Sequence, residues 1–216
     1  NLGPAQVKRC IEDVGIGFLF APLFHSAMRH AVGPRREIGI RTVFNVLGPL
    51  TNPANANAQV LGVYDSSLTE AIAMVLARMG IRRAFVVHGL DGMDELSLTC
   101  ETRVSEVNEG HVRTYEVAPE EVGLKRCAIW ELEGGDAKDN AKTALRVLNG
   151  EERGPKRDVV LLNAAAAIVA GGKAPDFISG LEVARESIDS GAALKKLNEL
   201  RKASWGLCEA PGNFRS

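Results

Sequence analysis

The chain has 216 residues, and 26 Lys and Arg against 27 Asp and Glu give a formal net charge of −1. This balance argues against a strongly basic nucleic-acid-binding protein, and no apolar run approaches the roughly 20 residues that a membrane-spanning helix needs. Four cysteines without Cys-x-x-Cys spacing fit neither a zinc site nor a disulfide scaffold. We therefore expect a cytoplasmic protein with no nucleic-acid or membrane partner.

The first quarter of the sequence predicts a helix, a short strand and a basic segment. The helix is expected over residues 4–14, with Pro4 in the first turn, where its missing amide leaves no hydrogen bond unmade. The apolar run of residues 16–21 predicts a buried strand that ends at Pro22. Residues 23–41 are helix-like but basic, and the Gly-Pro and Asn-Pro pairs after them indicate turns.

The middle of the sequence predicts a strand–helix–strand unit. Residues 59–64 and 84–88 are typical of buried strands, and the helix between them is expected to begin at a capping box of Ser67 and Glu70. Gly80 is expected to end this helix in the left-handed conformation. Its apolar face comprises Leu68, Ile72, Val75, Leu76 and Met79. The short connections make the two strands a parallel pair with a right-handed crossover.

The second half predicts a hairpin and then helices. Residues 102–106 and 111–117 are expected to pair across the turn at residues 108–110. The helices expected after it are one capped by Asp136 through Leu148, one capped by Asp158 through about Ala170, and a long one from Asp176 or Ser179 towards Arg201. The predicted fold class is α/β, a mostly parallel sheet flanked by helices with an appended antiparallel hairpin. It occupies residues 1–204, and residues 205–216 are expected to form a flexible tail.

The loop after the second predicted strand, residues 89–97, carries two adjacent carboxylates, Asp94 and Glu95. Open α/β sheets bind ligands beyond the carboxyl ends of their parallel strands. Carboxylate oxygens suit Mg²⁺, particularly when substrate phosphates share the ion. From the residues alone, a magnesium site and a solvated acidic loop both stay open.

The basic segment offers a second candidate site. Its members are His25, Arg29, Arg35, Arg36 and Arg41. An arginine fork binds a carboxylate or a phosphate through two parallel hydrogen bonds, and helical spacing would place Arg29 and Arg36 near one face. A solvated basic face that binds nothing is the alternative. Gly48 and the proline after it would either line a flat pocket for an aromatic ring or form only a turn.

Several of these runs, in this order and spacing, resemble anthranilate phosphoribosyltransferase. The runs are residues 18–22, His25, residues 35–37, residues 41–53 and residues 92–95. The most specific is residues 41–53, which has the pattern Arg-Thr-x-Phe-Asn-x-Leu-Gly-Pro-Leu-x-Asn-Pro. The resemblance extends from about residue 7 to residue 203, and it implies the carboxyl-terminal domain fold of nucleoside phosphorylases and phosphoribosyltransferases.

The resemblance also implies an activity and a set of site residues. In this family the amine of anthranilate displaces pyrophosphate from C1 of phosphoribosyl pyrophosphate, a step of tryptophan biosynthesis. Asp94 and Glu95 would hold a Mg²⁺ ion bound to the pyrophosphate, and Arg35 would bind the anthranilate carboxylate. The residues expected to line the anthranilate channel are Pro22, His25, Met28 and Gly48. No catalytic acid–base residue is assigned.

The sequence also departs from the family pattern. The Gly-Thr-Gly-Gly-Asp loop for phosphoribosyl pyrophosphate, the Lys-His-Gly-Asn-Arg segment and most of the helical domain that forms the family's dimer interface are missing, and the first residue is Asn1. We therefore expect the carboxyl-terminal portion of a homodimeric enzyme, with negligible activity by itself. A pyrimidine nucleoside phosphorylase-like enzyme and a non-catalytic module stay open as alternatives, as does association with a glutamine amidotransferase.

Overall fold

The structure is a computed structural model that describes residues 2–24, 48 and 50–209. The chain forms two compact units. The first consists of residues 1–53 together with residues 192–216, and the second consists of residues 54–191.

In the first unit, the helix predicted over residues 4–14 is confirmed, although its second half is wider than an α-helix. Helix α1 spans Pro4–Arg9, and a π-helical segment follows at Cys10–Val14. Gly15 ends this segment with a φ of 87°, in the left-handed region that glycine adopts without strain. The helix at the carboxyl-terminal end of the described residues packs against this segment, where Lys196 Nζ donates a hydrogen bond to the carbonyl oxygen of Val14 at 2.7 Å.

The buried strand predicted over residues 16–21 is wrong. Residues 16–20 have no regular secondary structure, and the chain then enters helix α2, Ala21–Phe24. Phe18 is 74% exposed, and its ring stacks on Phe20 with the centroids 6.4 Å apart. An apolar run becomes a strand only when a neighbouring strand accepts and donates its backbone hydrogen bonds, and no described strand lies beside this one. The predicted basic helix lies, after Phe24, outside the described residues.

The second unit is built on one four-stranded sheet, in the order β1-β2-β3-β4. Its strands are β1, Ala58–Gly62; β2, Arg83–Gly89; β3, Thr102–Asn108; and β4, His111–Val117. Strands β1 and β2 are parallel and are joined through helix α3, Leu68–Arg78, which confirms the predicted strand–helix–strand unit. The other two pairings are antiparallel, so the hairpin extends the sheet and makes it mixed.

The hairpin between β3 and β4 is confirmed, and its turn shows why the sequence predicts it. Asn108 pairs with His111, which leaves the two residues Glu109 and Gly110 as the loop. Both have positive φ, 49° and 84°, as a type I′ turn requires. The backbone twist of such a turn matches the twist of the strands, and this fixes the register.

The capping box predicted at the start of α3 is wrong. The Ser67 side chain makes no cap hydrogen bond to the helix. Instead Asp65 Oδ1 accepts hydrogen bonds from the Ser67 amide at 2.9 Å and from the Ser67 hydroxyl at 2.7 Å. The Ser67 hydroxyl therefore bonds to the Asp65 carboxylate and does not cap the helix. The end of the helix is as predicted, because Gly80 has a φ of 81°.

Helix α3 packs on one face of the sheet, and its buried face is narrower than predicted. The helix residues that are buried are Thr69, Ile72, Ala73 and Leu76. Val75 and Met79 are 39% and 53% exposed and lie outside this face. Arg103 of β3 donates a hydrogen bond from Nε to the Thr69 hydroxyl at 3.3 Å.

Four helices complete the described chain: α4, Ala137–Leu148; α5, Pro155–Ala170; α6, Phe177–Asp189; and α7, Ala192–Glu209. The caps of α4 and α6 are confirmed, because Asp136 accepts hydrogen bonds from the amides of Lys138 and Asp139, and Asp176 accepts one from the amide of Ser179. Helices α5 and α6 pack closely, since a Cβ added to Gly180 would lie 2.9 Å from the carbonyl oxygen of Ala165.

Two of the helix boundaries differ from prediction. Asp158 does not cap α5, which begins three residues earlier at Pro155 with Gly154 as its N-cap. Proline supplies the helical φ and needs no hydrogen bond at this position, so it extends the helix upstream. The long helix predicted towards Arg201 is two helices, because Gly191 breaks it with a φ of 76°. Helix α7 continues across residue 205, and the flexible tail stays a prediction.

No helix within the described ranges combines the length and the apolar character needed to cross a membrane.

Candidate functional site

The acidic loop of the second unit lies across the carboxyl ends of β1 and β2. It follows Gly89, the last residue of β2, and its main chain contacts Gly62, the last residue of β1. A Cβ added to Gly62 would lie 1.6 Å from the carbonyl oxygen of Asp94, a distance that no side chain tolerates. Glycine at the end of β1 therefore lets the loop backbone rest directly on the strand. This places Asp94 and Glu95 at the edge where parallel strands present ligands.

Asp91 organises the first half of the loop. Its Oδ1 accepts a hydrogen bond from the Met93 amide at 3.0 Å, and its Oδ2 accepts hydrogen bonds from the hydroxyls of Ser97, at 2.5 Å, and Thr99. Partial burial opposes the charge of Asp91, but the hydrogen bonds from Ser97, Thr99 and Met93 outweigh it and hold the pKa of Asp91 below its ordinary value. Asp91 is thus a structural anion that closes the loop on itself.

Asn163 of α5 fixes the second half of the loop. Its Oδ1 accepts a hydrogen bond from the Leu96 amide at 3.0 Å, while its Nδ2 donates to the Leu96 carbonyl oxygen at 3.0 Å. The Leu96 and Leu98 side chains are fully buried beneath the loop. The peptide groups on both sides of Leu96 are therefore held by one side chain from a distant helix.

Between these two anchors, Asp94 and Glu95 lie at the surface. Partial burial raises the pKa of Glu95, and the negative charges of Asp94 and Asp91 raise it further. No described Lys, Arg or His forms an ion pair with either member of the pair. Acidic groups that repel one another, with no basic partner in the described part of the chain, favour a bound cation.

The donor set fits Mg²⁺ that is shared with a second ligand. Two carboxylates supply hard oxygen ligands, and Mg²⁺ characteristically keeps waters and substrate phosphates in its remaining positions. Within the described ranges, no cluster of three or more His, Cys, Asp or Glu side chains could enclose a metal ion. The loop can therefore contribute part of a coordination shell, and a phosphate-bearing ligand would complete it.

The residues predicted to line an aromatic channel belong to the first unit. Pro22 lies in α2, and Gly48 forms a turn in which its carbonyl oxygen accepts hydrogen bonds from the Thr51 amide at 3.1 Å and the Thr51 hydroxyl at 3.2 Å. His25, Met28 and Arg35 lie outside the described residues, as do Arg29, Arg36 and Arg41. The structure thus places the acidic pair at the strand ends and leaves the roles of the channel residues as predictions.

Sequence reasoning identified the acidic pair but missed the residues that hold it. Asp91 carried a usable signal, because an aspartate beside Gly92 in a tight turn commonly bonds to nearby backbone amides. Gly62 carried a weaker one, since glycine at a strand end can mark a close backbone approach. Asn163 is an amide side chain within an apolar stretch of helix, which is a weak signal. No neighbouring residue in the sequence indicates its contact with Leu96, 67 residues earlier.

The sequence matches a known family over most of its length. Residues 1–194 match the family model described as glycosyl transferase family, a/b domain. Among curated proteins, the chain is 56% identical over 200 residues to anthranilate phosphoribosyltransferase of Syntrophotalea carbinolica, covering 93% of this chain and 56% of that protein. It is 58% identical over 204 residues to the enzyme of the same name from Geotalea uraniireducens, covering 94% and 58%. The chain therefore spans less than two thirds of these relatives.

Solved structures agree with this match and confirm the α/β fold. Anthranilate phosphoribosyltransferase from Thermus thermophilus superposes with a TM-score of 0.86 at 47% identity, covering 95% of this chain and 60% of that one. The Saccharomyces cerevisiae enzyme in complex with phosphoribosyl pyrophosphate and Mg gives 0.85 at 31% identity, and its complex with 4-fluoroanthranilate gives 0.86 at 31%. Both yeast structures are matched over 94% of this chain and 58% of their own.

Proposed function

The chain belongs to the glycosyl transferase family, a/b domain, and on this premise we propose that the complete protein is an anthranilate phosphoribosyltransferase. It transfers the phosphoribosyl group of phosphoribosyl pyrophosphate to the amine of anthranilate and releases pyrophosphate, in tryptophan biosynthesis. The carrying observation is the anchored Asp94–Glu95 loop at the ends of β1 and β2. Relatives named for this activity, 55 to 58% identical to the chain, support the assignment.

On the donor side, we propose that Asp94 and Glu95 hold a Mg²⁺ ion against the pyrophosphate. When bound, such an ion neutralises charge that builds up on the departing pyrophosphate. The reaction forms a bond between the anthranilate nitrogen and C1, breaks the bond between C1 and the pyrophosphate oxygen, and releases one proton. The chain's own contribution on this side is positional, because Asp91, Asn163 and Gly62 fix the loop before any ligand arrives.

On the acceptor side, we propose that Arg35 binds the anthranilate carboxylate through its two-pronged guanidinium. The channel around the ring is formed by Pro22, His25, Met28 and Gly48. The yeast enzyme whose structure contains 4-fluoroanthranilate is matched over 94% of this chain, which supports an acceptor site within it. No general acid or base is assigned, since the aromatic amine is already a nucleophile and the leaving group is stabilised by charge.

We also propose a setting for the enzyme. The complete protein is a cytoplasmic homodimer whose interface is formed mainly by a helical domain, and residues 1–204 of this chain are its α/β domain. Co-purification of the complete protein with a glutamine amidotransferase would establish an association between the two.

The proposal is tested with the complete protein. Anthranilate, phosphoribosyl pyrophosphate and Mg²⁺ should give phosphoribosyl anthranilate, whereas a pyrimidine nucleoside with phosphate should give no phosphorolysis. The opposite pattern would establish the phosphorylase alternative, and neither activity, with no binding of anthranilate, would favour a non-catalytic module. The 216-residue chain alone should show negligible transfer, and turnover near the rate of the complete protein would contradict that expectation.

The role of Arg35 has its own measurement. In the complete protein, Arg35→Ala should raise the KM for anthranilate by about 10-fold to 100-fold, because a charge-assisted bidentate contact contributes roughly 1.5–3 kcal/mol. The KM for phosphoribosyl pyrophosphate should change little. Equal anthranilate binding by wild type and variant would remove this role.

A further inference from the structure

We propose that Asn163 is the positioning residue of the acidic pair: its amide holds the main chain of Leu96 and so sets the geometry in which Asp94 and Glu95 bind a divalent cation with pyrophosphate. This inference rests on the proposed function and extends it to a residue of α5 that contacts the main chain of the loop. It concerns only residues of the second unit.

Asn163 uses both its amide oxygen and its amide nitrogen in the contact with Leu96. Asn163 accepts from the Leu96 amide at 3.0 Å and donates to the Leu96 carbonyl oxygen at 3.0 Å. Its Nδ2 also donates to the carbonyl oxygen of Val159 at 3.0 Å, one turn earlier in α5. This third hydrogen bond fixes the orientation of the amide plane, so the acceptor faces the Leu96 amide and the donor faces the Leu96 carbonyl. The asparagine side chain has the length, the donors and the acceptor to bond all three partners. Aspartate has no N–H donor, and alanine has neither a donor nor an acceptor in its side chain.

The contact acts on the acidic pair through one peptide group. The Leu96 amide belongs to the peptide that follows Glu95, so holding that amide fixes the position from which the Glu95 side chain projects. On the other side, the main chain of Asp94 rests on Gly62. The acidic pair is therefore held from two sides, by the end of β1 and by α5. Removing Asn163 removes the contact with α5, while the hydrogen bonds of Asp91 stay in place.

The packing of α5 does not depend on Asn163. The helix is held in the fold by a separate set of buried apolar residues, Leu161, Leu162, Ala165, Ala166 and Val169. The amide is half-buried at the margin of this face. The loss of Asn163 should therefore loosen the loop locally, rather than unfold the unit. Side chains that orient metal ligands without touching the metal typically change metal affinity by about 10-fold to 100-fold.

The test uses the complete protein with Mn²⁺ and pyrophosphate as probes. Free Mn²⁺, followed by electron paramagnetic resonance in the presence of pyrophosphate, should report binding by wild type and about tenfold weaker binding by Asn163→Ala. Hydrogen exchange at residues 93–97 should be faster in the variant, while anthranilate affinity should be unchanged. Val160→Ala, at a 41% exposed position of the same helix, is the matched control and should behave as wild type.

A double-mutant cycle with Glu95→Gln separates positioning from general destabilisation. If Asn163 acts through Glu95, its removal should weaken Mn²⁺–pyrophosphate binding much less in the Glu95→Gln background than in wild type. Equal effects in both backgrounds, or unchanged binding by a folded Asn163→Ala, would overturn the inference. If Asn163→Ala does not fold, Asn163→Gln decides by the same binding measurement, because its longer side chain displaces the amide. A different result would count against the proposed function itself: a wild-type protein that neither binds Mn²⁺ with pyrophosphate nor transfers the phosphoribosyl group.

Discussion

Replacing Gly62 by alanine would place a methyl carbon 1.6 Å from the carbonyl oxygen of Asp94 and 2.5 Å from its carbonyl carbon. Both neighbours are backbone atoms, so no rotation of a side chain can relieve the overlap. To reach even the 3.0 Å lower limit of real contacts, the oxygen must retreat by about 1.4 Å. The acidic pair moves with it, because the pair belongs to the same short segment, which Asn163 holds at Leu96.

Gly62→Ala should lower both the catalytic efficiency and the stability of the protein. Displacing a binding group by about 1 Å commonly costs on the order of 100-fold in rate, so kcat/KM for phosphoribosyl pyrophosphate should fall by about that factor. Forcing one extra carbon into a packed contact costs roughly 1–3 kcal/mol of the free energy of unfolding. Steady-state kinetics and urea unfolding of the complete protein measure the two quantities.

Gly206→Ala in α7 is the matched control. A Cβ at that position meets nothing within 4 Å, so the same substitution should leave kcat/KM unchanged and stabilise the helix by roughly 0.5–1 kcal/mol. Wild-type kinetics for Gly62→Ala, in a protein whose stability is also unaltered, would refute the close contact between the loop and β1.

Asp91→Asn should cost roughly 1 kcal/mol near neutral pH. Because the pKa of Asp91 is lowered on folding, the difference from wild type should begin to shrink below the ordinary value of 3.8 and should be lost as the pH falls further, through the lowered pKa. Burial and the charge of Glu106 raise the pKa of Tyr115 to about 12, so stability should fall as the pH rises above 10, and Tyr115→Phe should remove that component. Asp136→Ala should destabilise the protein by roughly 1 kcal/mol in thermal unfolding, because α4 loses both cap hydrogen bonds.

The elements that sequence predicts well are those whose cause lies within a few residues. The Glu109–Gly110 turn, the Asp136 cap and the glycine stop at Gly80 all depend on the local backbone and on one side chain. Two of the errors arise where a second local option competes. Asp65 takes the Ser67 hydroxyl from the expected capping box, and Pro155 starts α5 before Asp158 can cap it.

The chain's composition and motifs determined, by themselves, a balanced α/β protein with an acidic pair after a buried strand. Only the tertiary structure decided how that pair is held, because the holding groups come from other parts of the chain. Gly62 ends a strand 32 residues before Asp94, and Asn163 lies 67 residues after Leu96. A hydrogen bond or a steric contact depends on distances of a few ångströms, and sequence periodicity reports only which face of its own element a residue occupies.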